Sequence, residues 1–235
     1  DLIIQAEFFS DSNTLLKTVS GREVNLLLAT PWEYPFAEKL REYMMYLHGI
    51  STKLRFLTPI ATHDTGTPVQ LYGSPDAAVA RYFTLALFTT GQTGMVQGME
   101  HGALEKVDFI GRQRSVSFPM PNRYNAVIRK VNQILRDYAL FHEGGNLRFV
   151  DQGHGALMVA VREGRKTPEE KFLLVSNLDI AHTHKMRLDL SGVRQDNRNC
   201  RLHEMIKDEK TRLESDAMEI EVEPCGIRAY RIESQ

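Results

Sequence analysis

The chain has 235 residues, of which 42% are hydrophobic and 25% are charged, a composition that is ordinary for a globular protein and sufficient for a sizeable core. Its 29 basic and 30 acidic side chains give a net charge of -1, which provides no field to attract nucleic acid or a membrane surface. No apolar stretch in the sequence approaches the roughly 18–20 residues that a membrane-spanning helix needs.

The first residues of the chain and its cysteines give two expectations, one about the parent protein and one about its cellular compartment. The chain begins without methionine, and Asp1–Ala6 already has the pattern of a buried strand, so we expect it to be a piece of a longer protein. It contains only two cysteines, Cys200 and Cys225. Two thiols in a chain of this length are typical of a reduced, cytoplasmic protein.

Residues 1–143 alternate between buried strands and amphipathic helices. This order predicts a parallel sheet built from βαβ units. The predicted strands are Leu2–Phe9, Val24–Ala29, Leu54–Thr65 and Thr93–Gln97, with Pro59 either bulging the third strand or confining it to Pro59–Thr62. The first predicted helix begins at Ser10–Asn13 and runs to Val19, with a stop at Gly21. The second covers Pro35–His48, with an apolar face that starts at Phe36 and a stop at Gly49. The third runs from Ser74-Pro75-Asp76 through Phe88, and the fourth runs from an Asn122 cap to His142.

After Gly144-Gly145 the pattern changes to short strands separated by turn residues, which predicts an antiparallel β-sandwich. We therefore place a domain boundary at Glu143–Gly145, between a domain of residues 1–143 and one of residues 144–235. The seven predicted strands are Leu147–Val150, Ala156–Arg162, Phe172–Asn177, Met186–Leu190, Cys200–Ile206, Met218–Val222 and Ile227–Ile232.

Three acidic residues come at the carboxyl ends of predicted strands. Glu7 follows the first strand, Asp64 the third and Glu100 the fourth. Because the carboxyl ends of parallel strands face the active site in α/β folds, these carboxylates can converge on one substrate. Cleavage of a glycosidic bond needs a carboxylic acid for the leaving oxygen and carboxylates that stabilise an oxocarbenium-like centre. The alternative for each acid is a helix cap or a solvated side chain.

Histidines and aromatic residues complete the candidate site. His63, next to Asp64, is interpreted as a group that binds substrate hydroxyls rather than as a buried structural histidine. Trp32 and Tyr34 follow the second strand, where they either stack on a sugar face or lie buried under a loop. His182 and His184 are two residues apart without an evident third ligand, so neither a metal site nor a cofactor is predicted.

Three of these motifs together resemble the α-amylase superfamily, glycoside hydrolase family 13. AEFF at residues 6–9 resembles the motif of the fifth barrel strand, which implies that Glu7 is the general acid/base. ATHDT resembles the seventh-strand motif, in which His63 would bind substrate and Asp64 would stabilise the transition state. TGMVQGMEHG resembles the eighth-strand segment, with Glu100 at a substrate-binding position. The resemblance implies strands 5–8 of a (β/α)8 TIM barrel followed by a β-sandwich.

Two departures from the family pattern limit what this chain can do. Thr62 replaces the usual asparagine, and the first four barrel strands, with the aspartate nucleophile, have no counterpart. A full barrel takes roughly 250 residues, and residues 1–143 supply about half of one. The resemblance therefore implies a retaining glycosidase or transglycosylase that acts on α-glucan or maltooligosaccharide, and a chain that is inactive alone. Its exposed barrel strands would pair with the missing half or with a second copy.

Two other readings stay open. The first is a non-catalytic module, derived from a degenerate barrel, that binds glycan or a partner protein. The second is a flavodoxin-like domain, which is disfavoured because Ser10–Thr14 lacks the glycines of a phosphate-binding loop.

Overall fold

The computed structural model describes residues 3–19, 24–89, 92–106, 117–193 and 200–234. The first part of the chain forms strands β1 (Gln5–Ala6), β2 (Leu26–Leu28), β3 (Phe56–Pro59) and β4 (Gln92–Gly94), and helices α1 (Ser12–Val19), α2 (Ala37–Ile50), α3 (Pro68–Tyr72), α4 (Pro75–Phe88) and α5 (Asn125–Asp137). Leu2 and Gly21, at which the sequence predicted the start of a strand and the end of a helix, lie outside the described residues.

The four strands form one parallel sheet in the order β1-β2-β3-β4. This confirms the predicted βαβ arrangement, and it places the carboxyl ends of the strands along one edge. Strand β3 ends at Pro59, which is paired with Gly94, so the prediction of a strand confined to Pro59–Thr62 was wrong. A proline is tolerated here because it is the last residue of the strand, where its missing N–H interrupts no hydrogen bonds further along. The N–H of the next residue, Ile60, donates to the Gly94 carbonyl, 3.2 Å away.

Helix α4 begins as its sequence predicts. The Ser74 hydroxyl accepts a hydrogen bond from the Ala77 N–H at 3.0 Å, and Pro75 occupies the first turn. The preceding helix α3 was not predicted, although its sequence contains a capping box. In that box the N–H of Gln70 donates to the Thr67 hydroxyl at 3.2 Å, and the Thr67 N–H donates to the Gln70 side chain at 2.9 Å.

Three local predictions were wrong at helix ends. Phe36 precedes the first turn of α2 and is 72% exposed, so it is not part of the apolar face of that helix. Gly49 does not stop α2, because it keeps helical angles and the helix continues to Ile50. Asn122 is not the cap of α5, since its φ of 64° places it in a left-handed turn three residues before the helix begins at Asn125.

The second part of the chain is built from antiparallel strands in two sheets. The strands are β5 (Asn146–Phe149), β6 (Leu157–Glu163), β7 (Lys171–Asn177), β8 (His184–Asp189), β9 (Cys200–Glu204), β10 (Glu209–Leu213), β11 (Ala217–Val222) and β12 (Ile227–Ser234). One sheet has the order β10-β9-β12-β7-β6-β5, and the other pairs β11 with β8. The sequence missed β10 because it is a polar edge strand with a single buried side chain, Leu213.

The central strands β6 and β7 of the six-stranded sheet are buried on both faces, and their alternate residues enter different cores. Leu157 and Val159 belong to the core shared with β8 and β11, whereas Met158 and Ala160 pack in the core that contains α4 and α5. Arg162 is fully buried and donates to the carbonyls of Leu87 and Leu140, 3.0 and 2.9 Å away. The two parts of the chain therefore share a core, and the domain boundary at Glu143–Gly145 stays a prediction.

Across the described residues, no helix has the length and apolar character that crossing a membrane requires.

Candidate functional site

A cleft of about 460 Å³ opens at the carboxyl ends of the four parallel strands. It brings together four of the six candidate residues, namely Glu7, Trp32, His63 and Asp64. The others that line it include Gln5, Phe9, Thr30, Thr62, Thr65 and Met95. The position of the cleft is the one that parallel α/β sheets use for ligands, because the loops that follow the strands can vary without disturbing the sheet.

The loop after β3 presents His63 and Asp64 to solvent. The Thr65 hydroxyl accepts a hydrogen bond from the Thr62 N–H and donates to the Thr62 carbonyl, both at 3.0 Å, which closes a tight turn. On this turn the His63 ring lies 3.4 Å from the Asp64 carboxylate, and the two side chains are 58% and 67% exposed. This arrangement places an imidazole and a carboxylate, both of which can hydrogen-bond to a polyhydroxylated ligand, at the lining of the cleft.

The loop after β2 places Trp32 and Tyr34 in different environments. Trp32 is half-buried on the short 3₁₀ helix Pro31–Glu33 and lines the cleft. Tyr34 instead stacks on Tyr43 of α2, with ring centroids 4.2 Å apart, and lines a neighbouring groove of about 560 Å³. The N–H of Thr30 donates to the Tyr43 hydroxyl at 3.0 Å. The structure therefore does not place Tyr34 with the other candidates.

Glu100 also lies apart from the cleft. It belongs to the 3₁₀ helix Met99–His101, which follows Gly98 with its left-handed φ of 98°. Its carboxylate accepts a hydrogen bond from the Gly98 N–H at 2.9 Å and lies 3.7 Å from the His101 ring. Glu100 thus helps to shape the loop after β4, whereas Met95 and Val96 form the wall of the cleft there.

Some residues of the cleft were missed by the sequence analysis. Gln5 and Phe9 alternate with Glu7 along the first strand and its extension, and all three line the cleft. The two-residue period of a strand could have identified them. Nothing in the sequence pattern singles out Met95, because an apolar residue at a strand end is equally suited to the core.

His182 and His184 approach a residue that the sequence analysis did not consider. Their rings lie 3.1 and 3.0 Å from the same carboxylate oxygen of Asp179. A hydrogen bond from the Ala181 N–H, followed in importance by the one from His184, holds the pKa of Asp179 well below its usual range. Within the described ranges, no group of three or more His, Cys, Asp or Glu side chains has an arrangement that could hold a metal ion.

Comparisons with known sequences give no family assignment. No family model matches the chain, and no curated protein matches it.

Solved structures do match the fold over essentially the whole chain. A noncanonic maltogenic α-amylase, AmyB from Thermotoga neapolitana, is similar at a TM-score of 0.72 and 15% identity, covering 100% of this chain and 55% of that one. The α-amylase from Geobacillus thermoleovorans, complexed with acarbose, has a TM-score of 0.73 and 14% identity over 99% of this chain and 54% of its own. The trehalose-6-phosphate hydrolase from Bacillus licheniformis has a TM-score of 0.72 and 12% identity over 99% and 56%.

The chain therefore spans about half the length of the solved structures that it matches. At sequence identities of 12% to 15%, the structural similarity establishes the fold alone. The resemblance to α-amylases that the sequence indicated is confirmed at that level: the chain has the fold of about half of an α-amylase.

Proposed function

We propose that the chain is the carboxyl-terminal half of a retaining α-glucan-active glycosidase or transglycosylase of the α-amylase type. In this proposal β1–β4 are strands 5–8 of a (β/α)8 barrel, and the antiparallel sheets are the terminal β-sandwich domain. The observation that supports it best is the cleft at the strand ends, which collects Glu7, Trp32, His63 and Asp64 in a chain with the fold of about half of an α-amylase.

The residues of the cleft have separate roles in this proposal. Glu7 is the general acid/base, which protonates the leaving oxygen and later takes a proton from the attacking water or acceptor hydroxyl. Asp64 stabilises the oxocarbenium-like transition state and, with His63, binds hydroxyls of the sugar. Trp32 offers an aromatic face against which a sugar ring can stack.

We assign no direct contact with substrate to Tyr34 and Glu100. Tyr34 is engaged with Tyr43, and Glu100 with the Gly98 N–H. Both side chains hold loops that border the cleft.

Retaining chemistry requires a second carboxylate, the nucleophile, about 5–5.5 Å from the acid/base. We propose that it lies on the half of the matched enzymes that this chain does not cover, and that the isolated chain is inactive.

The edge strands β1 and β4 each pair with a single neighbour in the described structure, and such edges invite further pairing. The missing half, or a second copy of the chain, is the partner that this predicts. A monomer in sedimentation at micromolar concentration would count against the second copy.

Ligand binding can be tested with the chain itself, because Trp32 is its only tryptophan and lines the cleft. We expect acarbose and maltooligosaccharides to change the Trp32 emission in a saturable titration. Asp64→Asn should weaken binding, and Glu219→Gln, an exposed carboxylate of β11, is the matched control. Absence of any saturable change with either ligand would refute glycan binding. Hydrolysis of maltooligosaccharide that disappears in Glu7→Gln would refute inactivity of the isolated chain.

A second candidate function is a non-catalytic glycan-binding or protein-binding module. It is favoured by the exposure of the side chains of Glu7, His63 and Asp64, which leaves the cleft open to solvent. Glycan binding that survives the double substitution Glu7→Ala and Asp64→Ala would support this module over the enzyme.

A further inference from the structure

Two side chains outside the lining of the cleft link two loops that border it, those that follow the neighbouring strands β2 and β3. Arg81 of α4 donates to the Tyr34 carbonyl at 3.1 Å and to the Pro35 carbonyl. Its guanidinium lies over the ring of Tyr72 of α3, 5.0 Å from the centroid. The Tyr72 hydroxyl donates to the carbonyl of Ile60 at 2.7 Å.

The carbonyls at the two ends of this link belong to the cleft loops. Tyr34 directly follows the 3₁₀ helix that presents Trp32, and Ile60 directly precedes the segment Ala61–Thr65 that lines the cleft. The pair Arg81–Tyr72 therefore connects the Trp32 wall with the His63–Asp64 wall, although neither side chain lines the cleft itself.

The surroundings of Arg81 make the link difficult to replace. Arg81 is 5% exposed, and no carboxylate in the described parts of the chain forms an ion pair with it. Burial is the main reason that its pKa falls to about 10. Two of its five N–H donors are used on the loop carbonyls, and the Tyr72 ring covers the guanidinium. The charge of Arg81 is therefore stabilised mainly by the elements that it holds in place.

A small cavity lies beside the link. It has a volume of about 100 Å³ and is lined by Pro35, Tyr72, Arg81 and, from the sandwich, Asn177 and Leu178. Close packing on this side would prevent the loops from shifting when a contact is lost, whereas the cavity leaves room for them to move. Loss of one hydrogen bond in the link should thus be transmitted to the cleft.

We propose that Arg81 and Tyr72 are positioning residues that set the separation between the Trp32 wall and the His63–Asp64 wall of the cleft. The identity of the ligand rests on the proposed function, but the coupling between the walls can be measured without any ligand.

The test compares two tyrosine substitutions that each remove one hydrogen-bonded hydroxyl. Tyr72→Phe deletes the hydrogen bond to Ile60 and keeps the ring under Arg81. Tyr82→Phe is the matched control, because its hydroxyl donates to the Asn132 side chain at 2.6 Å and neither of these two residues lines the cleft. Three quantities are to be compared between the variants: the acrylamide quenching constant of Trp32, the affinity for acarbose and the midpoint of urea unfolding.

Both substitutions should lower the urea midpoint by a similar small amount. Only Tyr72→Phe should change the Trp32 quenching constant, and it should weaken acarbose binding by roughly three- to tenfold, the effect expected for one hydrogen bond. Arg81→Lys, which cannot hold both loop carbonyls with a planar fork, should act in the same direction.

Unchanged quenching of Trp32 in a folded Tyr72→Phe protein would overturn the inference, as would an equal change in Tyr82→Phe. If Tyr72→Phe alters the quenching but acarbose does not bind even to the unsubstituted chain, the coupling stands and the proposed function fails. The two outcomes are therefore distinguishable.

Discussion

Phe172 is the residue at which we expect the two parts of the chain to be most tightly coupled. It belongs to β7 and is fully buried, and its ring makes edge-to-face contacts with Tyr138 and Phe141, at centroid distances of 4.8 and 5.3 Å. Both partners belong to the segment that follows α5. Phe172→Ala therefore removes a side chain of the β-sandwich that fills the core shared with the parallel part.

The size of the effect follows from the contacts that are lost. Truncation of a buried phenylalanine costs about 3–5 kcal/mol, and two edge-to-face pairs account for roughly 1–3 kcal/mol of such a loss. For a chain of this size each kcal/mol lowers Tm by about 2–4 °C, so we expect a decrease of about 6–20 °C. Phe172→Leu keeps an apolar side chain but loses both ring contacts, and it should fall between Phe172→Ala and the unsubstituted chain.

The assay uses two probes during the same thermal or urea unfolding. Trp32 fluorescence reports on the parallel part, whereas far-ultraviolet circular dichroism reports on all strands and helices. Because the core is shared, Phe172→Ala should move both transitions together. If the Trp32 transition kept its midpoint while the dichroism transition moved, the two parts would unfold independently and the reasoning would be refuted.

Three further predictions concern individual contacts. Ser74→Ala removes the cap of α4 and should lower the free energy of unfolding by about 0.5–2 kcal/mol in urea titration, whereas Ser74→Asp should restore most of it. Burial, followed by the charge of the neighbouring His184, lowers the pKa of His154. The Nδ1 atom of His154 accepts hydrogen bonds from two backbone N–H groups, and protonation of the ring would break both. Stability should therefore decline as pH falls below about 6.5, and this decline should be smaller in His154→Asn; equal pH profiles would contradict the assignment. Arg41→Met leaves the buried carboxylate of Asp151 without its cation, 3.1 Å away, and should cost about 3 kcal/mol in the same titration. The N–H groups of Gly153 and Val159 also donate to this carboxylate, both at 3.0 Å, and a loss below about 1 kcal/mol would show that they suffice.

Local chemistry explains which elements could be predicted. The start of α4 was predicted because Ser74 and Pro75 act within one turn, and the alternation of buried strands and helices follows from hydrophobic periods. Predictions based on single residues failed where the surrounding structure determined the conformation of that residue. Gly49 lies within α2, which continues to Ile50. Asn122 lies in a left-handed turn, and its N–H donates at 3.1 Å to the ring of His101, which is 21 residues earlier in the chain. Strand β10 was missed because a polar edge strand leaves no hydrophobic pattern.

The candidate site was predicted in part for a similar reason. Glu7, His63 and Asp64 follow strands, and the topology of a parallel sheet brings such residues to one edge whatever their sequence separation. Tyr34 and Glu100 satisfy the same rule, but the side chain of Tyr34 stacks on Tyr43 and that of Glu100 bonds to its own loop. The direction of a side chain after a strand depends on these local contacts, which the strand pattern does not contain.

The sequence by itself determined the order of elements, the capping of α4 and the presence of acidic and aromatic residues at strand ends, since all of these depend on neighbours within a few positions. Only the tertiary structure decided that four of the six candidates share one cleft, that the sandwich and the parallel part share a core, and that Arg81 and Tyr72 join the walls of the cleft. From Ala77 to Phe88 every residue of α4 is buried. A helix surrounded by protein has no polar face in its sequence to show which partner each side chain meets.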